Sequence, residues 1–396
     1  RLRLGLPLHP LGRIANFPKE SQYIGDVTGV VFYVTGASRY AAFFVFSWAC
    51  YLGQVLSVRA LRVAVPEADH HRYMLAMLFL PSLLFWPSSV GKEAVMIFSL
   101  GFISYGAGLL LAPRPRLHGT VYFAAGFGAV VLVRPHIALM ALVSLVGALS
   151  VAFVAGRGGA TPGRVAPRGR RRPGARRQRE SQGRVVRLLA ILGLVVVTVL
   201  ALGQLSSTLD GGRDGRESTA QEQLTKAARQ TSIGDSAFRP VQATSVVDLP
   251  AAVGTVVFRP FLWEGGAGGA LAAIESTLLL VLTLVSLPRL RTFPTLALRR
   301  TYLLFSTAFV VVFAFGFSYI GNFGILARQR VQMFPALLVL MALPTRAALA
   351  ERWRREDPES PGDRQGELPE ADLAGRVGTL TAPRSALRRV GSRAQP

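Results

Sequence analysis

Charged residues are absent from long stretches of this chain: 40–58, 94–113 and 137–156 contain none. Leu, Val, Ala and Phe fill these windows, without the two-residue alternation of a barrel strand. Roughly 20 helical residues cross a hydrocarbon core of about 30 Å. In lipid the backbone must satisfy its own hydrogen bonds, so apolar runs of this length predict helices. The pattern predicts spans near 40–58, 73–86, 91–112, 120–133, 135–156, 187–206, 268–288, 301–320 and 331–350. The expected fold class is therefore all-α, a polytopic transmembrane helical bundle of about nine spans. The runs 73–86 and 120–133 are short enough to be half-helices or re-entrant segments. Pro81 and Pro87 kink or stop the first of them.

Composition supports a membrane protein: of 396 residues, 51% are hydrophobic and only 17% charged, against about a quarter charged in soluble domains. A net charge of +23 could indicate nucleic acid, but its distribution argues otherwise and no nucleic-acid partner is expected. Only Lys19, Lys92 and Lys226 are lysines, and the window 157–187 alone holds eleven arginines against one acid, Glu180. Short cytoplasmic loops are enriched in Lys and Arg, so this window is expected to lie in the cytoplasm. Alternation then puts 59–72, 113–118, 289–300 and the tail 351–396 inside. It puts 1–39, 87–90, the boundary at 134, 207–267 and 321–330 outside. The expected organisation is an outer segment 1–39, a helix group 40–156, a disordered basic linker 157–186, a second group 187–350 with outer loop 207–267, and a disordered cytoplasmic tail 351–396. The inner (plasma) membrane is the expected location. Cys50, the single cysteine, excludes an intramolecular disulfide and a Cys-based metal cluster. The first residue is Arg1 rather than Met, which leaves room for a preceding span.

Polar residues near membrane depth are costly and mark function, and the expected topology sends the unusual ones to the outer face. In 86–93 the prolines break the helix and a new helix begins, whose free N–H groups suit an anion. There Lys92 adds charge, and Glu93 is a candidate base or a partner for Lys92. Arg134-Pro135-His136 interrupts two apolar runs, with Arg134 a candidate anion ligand and His136 a hydrogen-bonded or catalytic histidine. Arg328 and Arg330, in a short outer loop, are forked donors suited to phosphate. Arg259, Trp263 and Glu264 fall in an aromatic segment before a span, either an interfacial anchor or a platform for a sugar ring. Asp235, Arg239 and Asp248 are further loop contacts. There is no Gly-Lys-Ser/Thr phosphate loop, His-Glu-x-x-His, nucleophile elbow or Cys/His metal pattern, so an ATP-driven pump or metalloprotease is not expected.

With the strings 85–93, 133–136 and 327–330, many spans and a long late outer loop, the chain resembles O-antigen-polymerase-like (Wzy-like) membrane proteins of actinobacterial type. The resemblance covers about residues 20–350. It implies an outer-face enzyme of surface polysaccharide assembly that polymerises polyprenyl-diphosphate-linked glycans. Arginines would hold the diphosphate and offset its developing charge, and Glu93, His136 or Glu264 would deprotonate the acceptor hydroxyl. Catalytic candidates are thus Glu93, His136 and Glu264; substrate-binding candidates are Lys92, Arg134, Arg259, Trp263, Arg328 and Arg330. No metal or cofactor is implied. The expected partners are a lipid-linked oligosaccharide, membrane lipids and other polysaccharide-assembly membrane proteins. Three alternatives stand beside it. One is a polyprenyl-monophosphate-sugar glycosyltransferase, with Asp26 or Glu20 as its acidic residue. The others are a transporter or flippase, and a non-catalytic assembly partner.

Overall fold

The computed structural model describes residues 20–36, 38–112, 115–154, 236–243, 245–264 and 266–356. The expected linker 157–186, the span 187–206, Asp235 and the tail from 357 onward lie outside these residues. Among the described residues every regular element is a helix, and the one β-type contact is an isolated bridge between Ala237 and Asn322. Residues Arg1–Leu349 group as one compact unit and Ala350–Pro396 as a second.

In chain order the helices are α1 (Glu20–Thr35), α2 (Arg39–Ala64), α3 (His70–Phe79), α4 (Pro81–Phe85), α5 (Lys92–Leu110), α6 (His118–Val133) and α7 (Pro135–Val154). After the gap follow α8 (Leu249–Phe258), α9 (Gly266–Leu290), α10 (Phe293–Ala297), α11 (Thr301–Phe317), α12 (Phe323–Arg330), α13 (Phe334–Met341) and α14 (Arg346–Glu356). Four helices are long and apolar enough to cross a membrane: Arg39–Ala64, Lys92–Leu110, Pro135–Ala152 and Gly269–Leu290. A fifth results if α13 and α14 count as one broken span. Helices α6, α8 and α11 are apolar but shorter. Length and composition therefore support four or five crossings among the described residues; the predicted span 187–206 lies outside them.

Two breaks between helices have local causes. The run 73–86 is cut in two because Leu80, which precedes a proline, is pushed into extended backbone (ψ 126°) and Pro81 starts a new helix. Arg134 makes a similar joint before Pro135, with φ −150° and ψ 83°. Two segments assigned to outer regions also prove helical. Glu20–Thr35 forms α1, and the apolar string 249–258 within the expected outer loop forms α8, whose Ala252, Val256 and Val257 are buried. An apolar stretch of that length buries one face rather than extending into water.

The core of the first helix group is α2, α5 and α6 packed at very short range. A Cβ added at Gly101 would stand 2.3 Å from the Gly53 carbonyl oxygen, and one at Gly106 would stand 2.4 Å from the Phe123 nitrogen. Such small residues let backbones meet where lipid offers no hydrophobic drive. Helix α7 packs on α11, joining the two helix groups.

The connections gather at two ends. At one, Ser47 donates to the Ser88 carbonyl (3.4 Å), the Phe323 N–H donates to the Ser236 carbonyl (3.0 Å) and the His136 ring leans on Phe317. At the other, the Asp69 N–H donates to Ala342 O (2.8 Å), Arg289 pairs with Asp69 (3.2 Å), Arg300 pairs with Glu67 and Thr292 donates to Pro344 O (3.0 Å).

Candidate anion-binding site

At the first of these ends three segments far apart in the chain meet on one carboxylate. Helix α5 begins at Lys92 with Gly91 as its N-cap, which places Glu93 in the first turn. Glu93 is 1% exposed and accepts Arg134 Nη2 at 2.9 Å and Arg328 Nη2 at 2.6 Å. Arg134 reaches it from the α6–α7 joint and Arg328 from α12. Arg134 Nη1 also donates to the side-chain oxygen of Gln329. Among the described residues, two guanidinium charges against one carboxylate leave the cluster net positive. Arg134 is buried, whereas the Arg328 side chain is 45% exposed. The Glu93 carboxylate forms only one bond to Arg328; the other donors of this forked group take no partner among the described residues. The arrangement can add an anion at Arg328 while Glu93 keeps both arginines in place.

Helix α12 is positioned by two devices. The Asn322 side chain caps it by accepting the Ile325 N–H (3.1 Å). The segment 236–238 pairs with 321–323 through Phe238 N–H to Gly321 O (2.9 Å) and Phe323 N–H to Ser236 O (3.0 Å). Phe238 and Phe323 stack 4.1 Å apart, and the Arg259 guanidinium carbon lies 4.5 Å and 5.2 Å from their ring centroids.

Arg330 goes elsewhere. Residues two apart on a helix face different directions, so Arg330 turns inward while Arg328 turns to Glu93. It is 0% exposed and donates to Arg259 O (2.8 Å), Val257 O (3.3 Å) and Ser276 Oγ (2.8 Å), with Glu275 at 3.5 Å. The carbonyls belong to the C-terminal end of α8, the negative end of its dipole. Glu275 in turn accepts the Ser82 N–H (2.8 Å) and hydroxyl at the start of α4. The inward turn of Arg330 corrects the expectation that it offers its fork to an outer ligand. Its donors are spent on protein acceptors, apart from a buried Nε with no partner among the described residues.

The remaining candidates occupy the same end in different settings. Arg259 binds Glu264 in a forked pair, Nε to both oxygens at 3.0 Å, and the Phe261 N–H donates to the same carboxylate at 3.0 Å. Burial alone would raise the Glu264 carboxyl; Arg259 and that N–H outweigh it and hold it below its ordinary value. Trp263 is 81% exposed and stacks on Phe261 at 5.0 Å. Lys92 is half-buried beside Glu93. His136 is exposed, its ring 6.2 Å from that of Phe317. Among the described residues Arg239 contributes its carbonyl, to Arg259 Nη1 at 3.4 Å, and Asp248 accepts Ser245 N–H (2.8 Å) and hydroxyl (2.9 Å). Among the described residues no group of three or more His, Cys, Asp or Glu is placed to hold a metal ion.

No family model, curated protein or solved structure matches this chain. What the site can do therefore rests on its own geometry. That geometry adds two residues the sequence reading passed over, Gln329 and Gln332. Gln332 Nε2 donates to the Gln329 oxygen at 3.1 Å. Their only sequence signal is amide side chains beside and inside an apolar run.

Proposed function

We propose that the chain is a polytopic protein of about nine spans in the plasma membrane, C-terminus cytoplasmic, that transfers or polymerises polyprenyl-diphosphate-linked glycans at its outer face. The observation that carries this reading is the convergence of Glu93, Arg134 and Arg328 on one point with net positive charge and a half-exposed guanidinium. Arg328 takes the diphosphate and Arg134 stabilises it from behind. Both act on charge that grows as the acceptor hydroxyl attacks the anomeric carbon and the diphosphate leaves with the bonding electron pair. Glu93 is a positioning residue in this scheme, because a carboxylate already accepting two guanidiniums is a poor base. His136, exposed at the same end, takes the hydroxyl proton. The stacked Phe261–Trp263 pair, with an exposed indole face, offers the sugar a surface. Membrane lipids surround the exposed helix faces, and other assembly proteins are proposed partners.

The test is alanine substitution of Arg134 or Arg328 with measurement of surface glycan chain length and protein level. Loss of one such donor is expected to slow polymerisation by about 10²–10³-fold, leaving short chains, and lysine at 328 restores only part because it lacks the fork. Full-length polymer at normal protein level in both alanine variants removes the assignment. Lipid-linked glycan that stops reaching the outer face at all would instead favour a flippase.

A further inference from the structure

The charged cluster does not end at Arg134. Its Nη1 donates to Gln329 Oε1, and Gln332 Nε2 donates to the same oxygen. Because Arg134 has no acceptor to offer, Gln329 must present its oxygen, and Gln332 must then present its amide nitrogen. That leaves the Gln332 side-chain oxygen to find another partner, and Gln332 lines a void of about 10 Å³ among the helices. The void is lined by Ser104, Tyr302, Ser306 and Gln332 among apolar neighbours such as Leu100 and Phe305. Gln332 is 1% and Ser306 0% exposed, and both Gln332 Oε1 and Ser306 Oγ lack a hydrogen-bond partner among the described residues. The Tyr302 hydroxyl lies near Ser104 and Ser306 without reaching hydrogen-bond geometry with Ser306.

A buried polar atom without a partner is costly. Two of them on residues that line one void of single-water size, with the Ser104 and Tyr302 side chains also lining it, meet the conditions for an internal water. We propose that the void holds one water molecule, which donates to Gln332 Oε1 and accepts from the Ser306 hydroxyl. Through it Gln332 becomes a positioning residue for Arg134, so that the anion-binding site is wired to a hydrated pocket inside the bundle. The positioning role deepens the reading of that site given above; the water does not depend on it.

The experiment compares wild type, Ser306→Ala and Gln332→Met in detergent, measuring Tm and the rate at which an arginine-selective dicarbonyl reagent modifies each arginine, read by peptide mass spectrometry. A hydrated void predicts that Ser306→Ala lowers Tm, because the water loses a partner. A dry void predicts an unchanged or higher Tm, because an unsatisfied hydroxyl has been removed, and that result overturns the water. Gln332→Met is expected to speed modification of Arg134 severalfold while Arg259, in its separate ion pair, keeps its rate. Equal acceleration of both, or of neither, overturns the positioning role. Inorganic pyrophosphate titrated into wild type and Arg328→Ala tests the underlying reading separately: failure of wild type to bind, or equal binding by the two, removes that reading and leaves the Tm and modification results standing.

Discussion

Glu93 and Glu264 are both held by arginine at the same end of the bundle, yet their settings differ. Glu93 is buried and shared between two guanidiniums; Glu264 is about one-fifth exposed and belongs to Arg259 alone. For Glu264 the folded carboxyl is depressed, so its contribution is complete above the ordinary glutamate pKa of about 4.3 and is lost as pH falls through the lower folded value. We expect wild type to lose Tm on acidification from neutral pH to below that range by more than Glu264→Gln does. Parallel Tm curves for the two proteins would show that the pair contributes nothing to stability, as many partly exposed ion pairs do not.

Among the elements, the joints gather the buried charges. The α3–α4 break exists because Pro81 forbids continuation, and it is secured because Glu275 accepts the Ser82 N–H and hydroxyl there. Arg330 links that carboxylate to the end of α8. Arg330→Met should therefore leave Glu275 buried without its counter-charge and destabilise the protein by roughly 3–5 kcal/mol. Adding Glu275→Gln should recover part of the loss. Denaturant midpoints of the single and double variants measure both effects, and an Arg330→Met protein as stable as wild type would contradict the ion pair. The same helix, α12, carries Arg328 to Glu93 two residues earlier, so about half a helical turn separates the half-exposed arginine from the buried one.

For the whole molecule, contacts divide the described connections between two ends. Segments near 86–93, 133–136 and 318–330 share one end; 64–72, 289–300 and 342–345 share the other. In a Cys50→Ser background, single cysteines at Ser89 and Ser236 should react with an impermeant thiol reagent from one side of the membrane. Cysteines at His71 and Arg299 should react only from the other. Labelling of Ser89→Cys and His71→Cys from the same side would break the two-ended arrangement.

What the sequence determined by itself is local. Charge-free apolar runs dictate helices, because lipid leaves the backbone no other hydrogen-bond partners. Pro81 and Pro135 mark joints, because the residue before a proline leaves helical backbone. Glu93, Arg134 and Arg328 could be singled out as polar interruptions. Tertiary structure alone decided how they are used. Arg328 and Arg330 are the same residue type two positions apart, and only the packing of α12 sends one to Glu93 and buries the other on Glu275. The partnership of Glu93 with residues 41 and 235 positions away, and the path through Gln329 to Gln332, depend on which helices touch. Nothing in the order of the residues encodes those contacts locally, since each polar side chain takes whichever partner the folded bundle brings within reach.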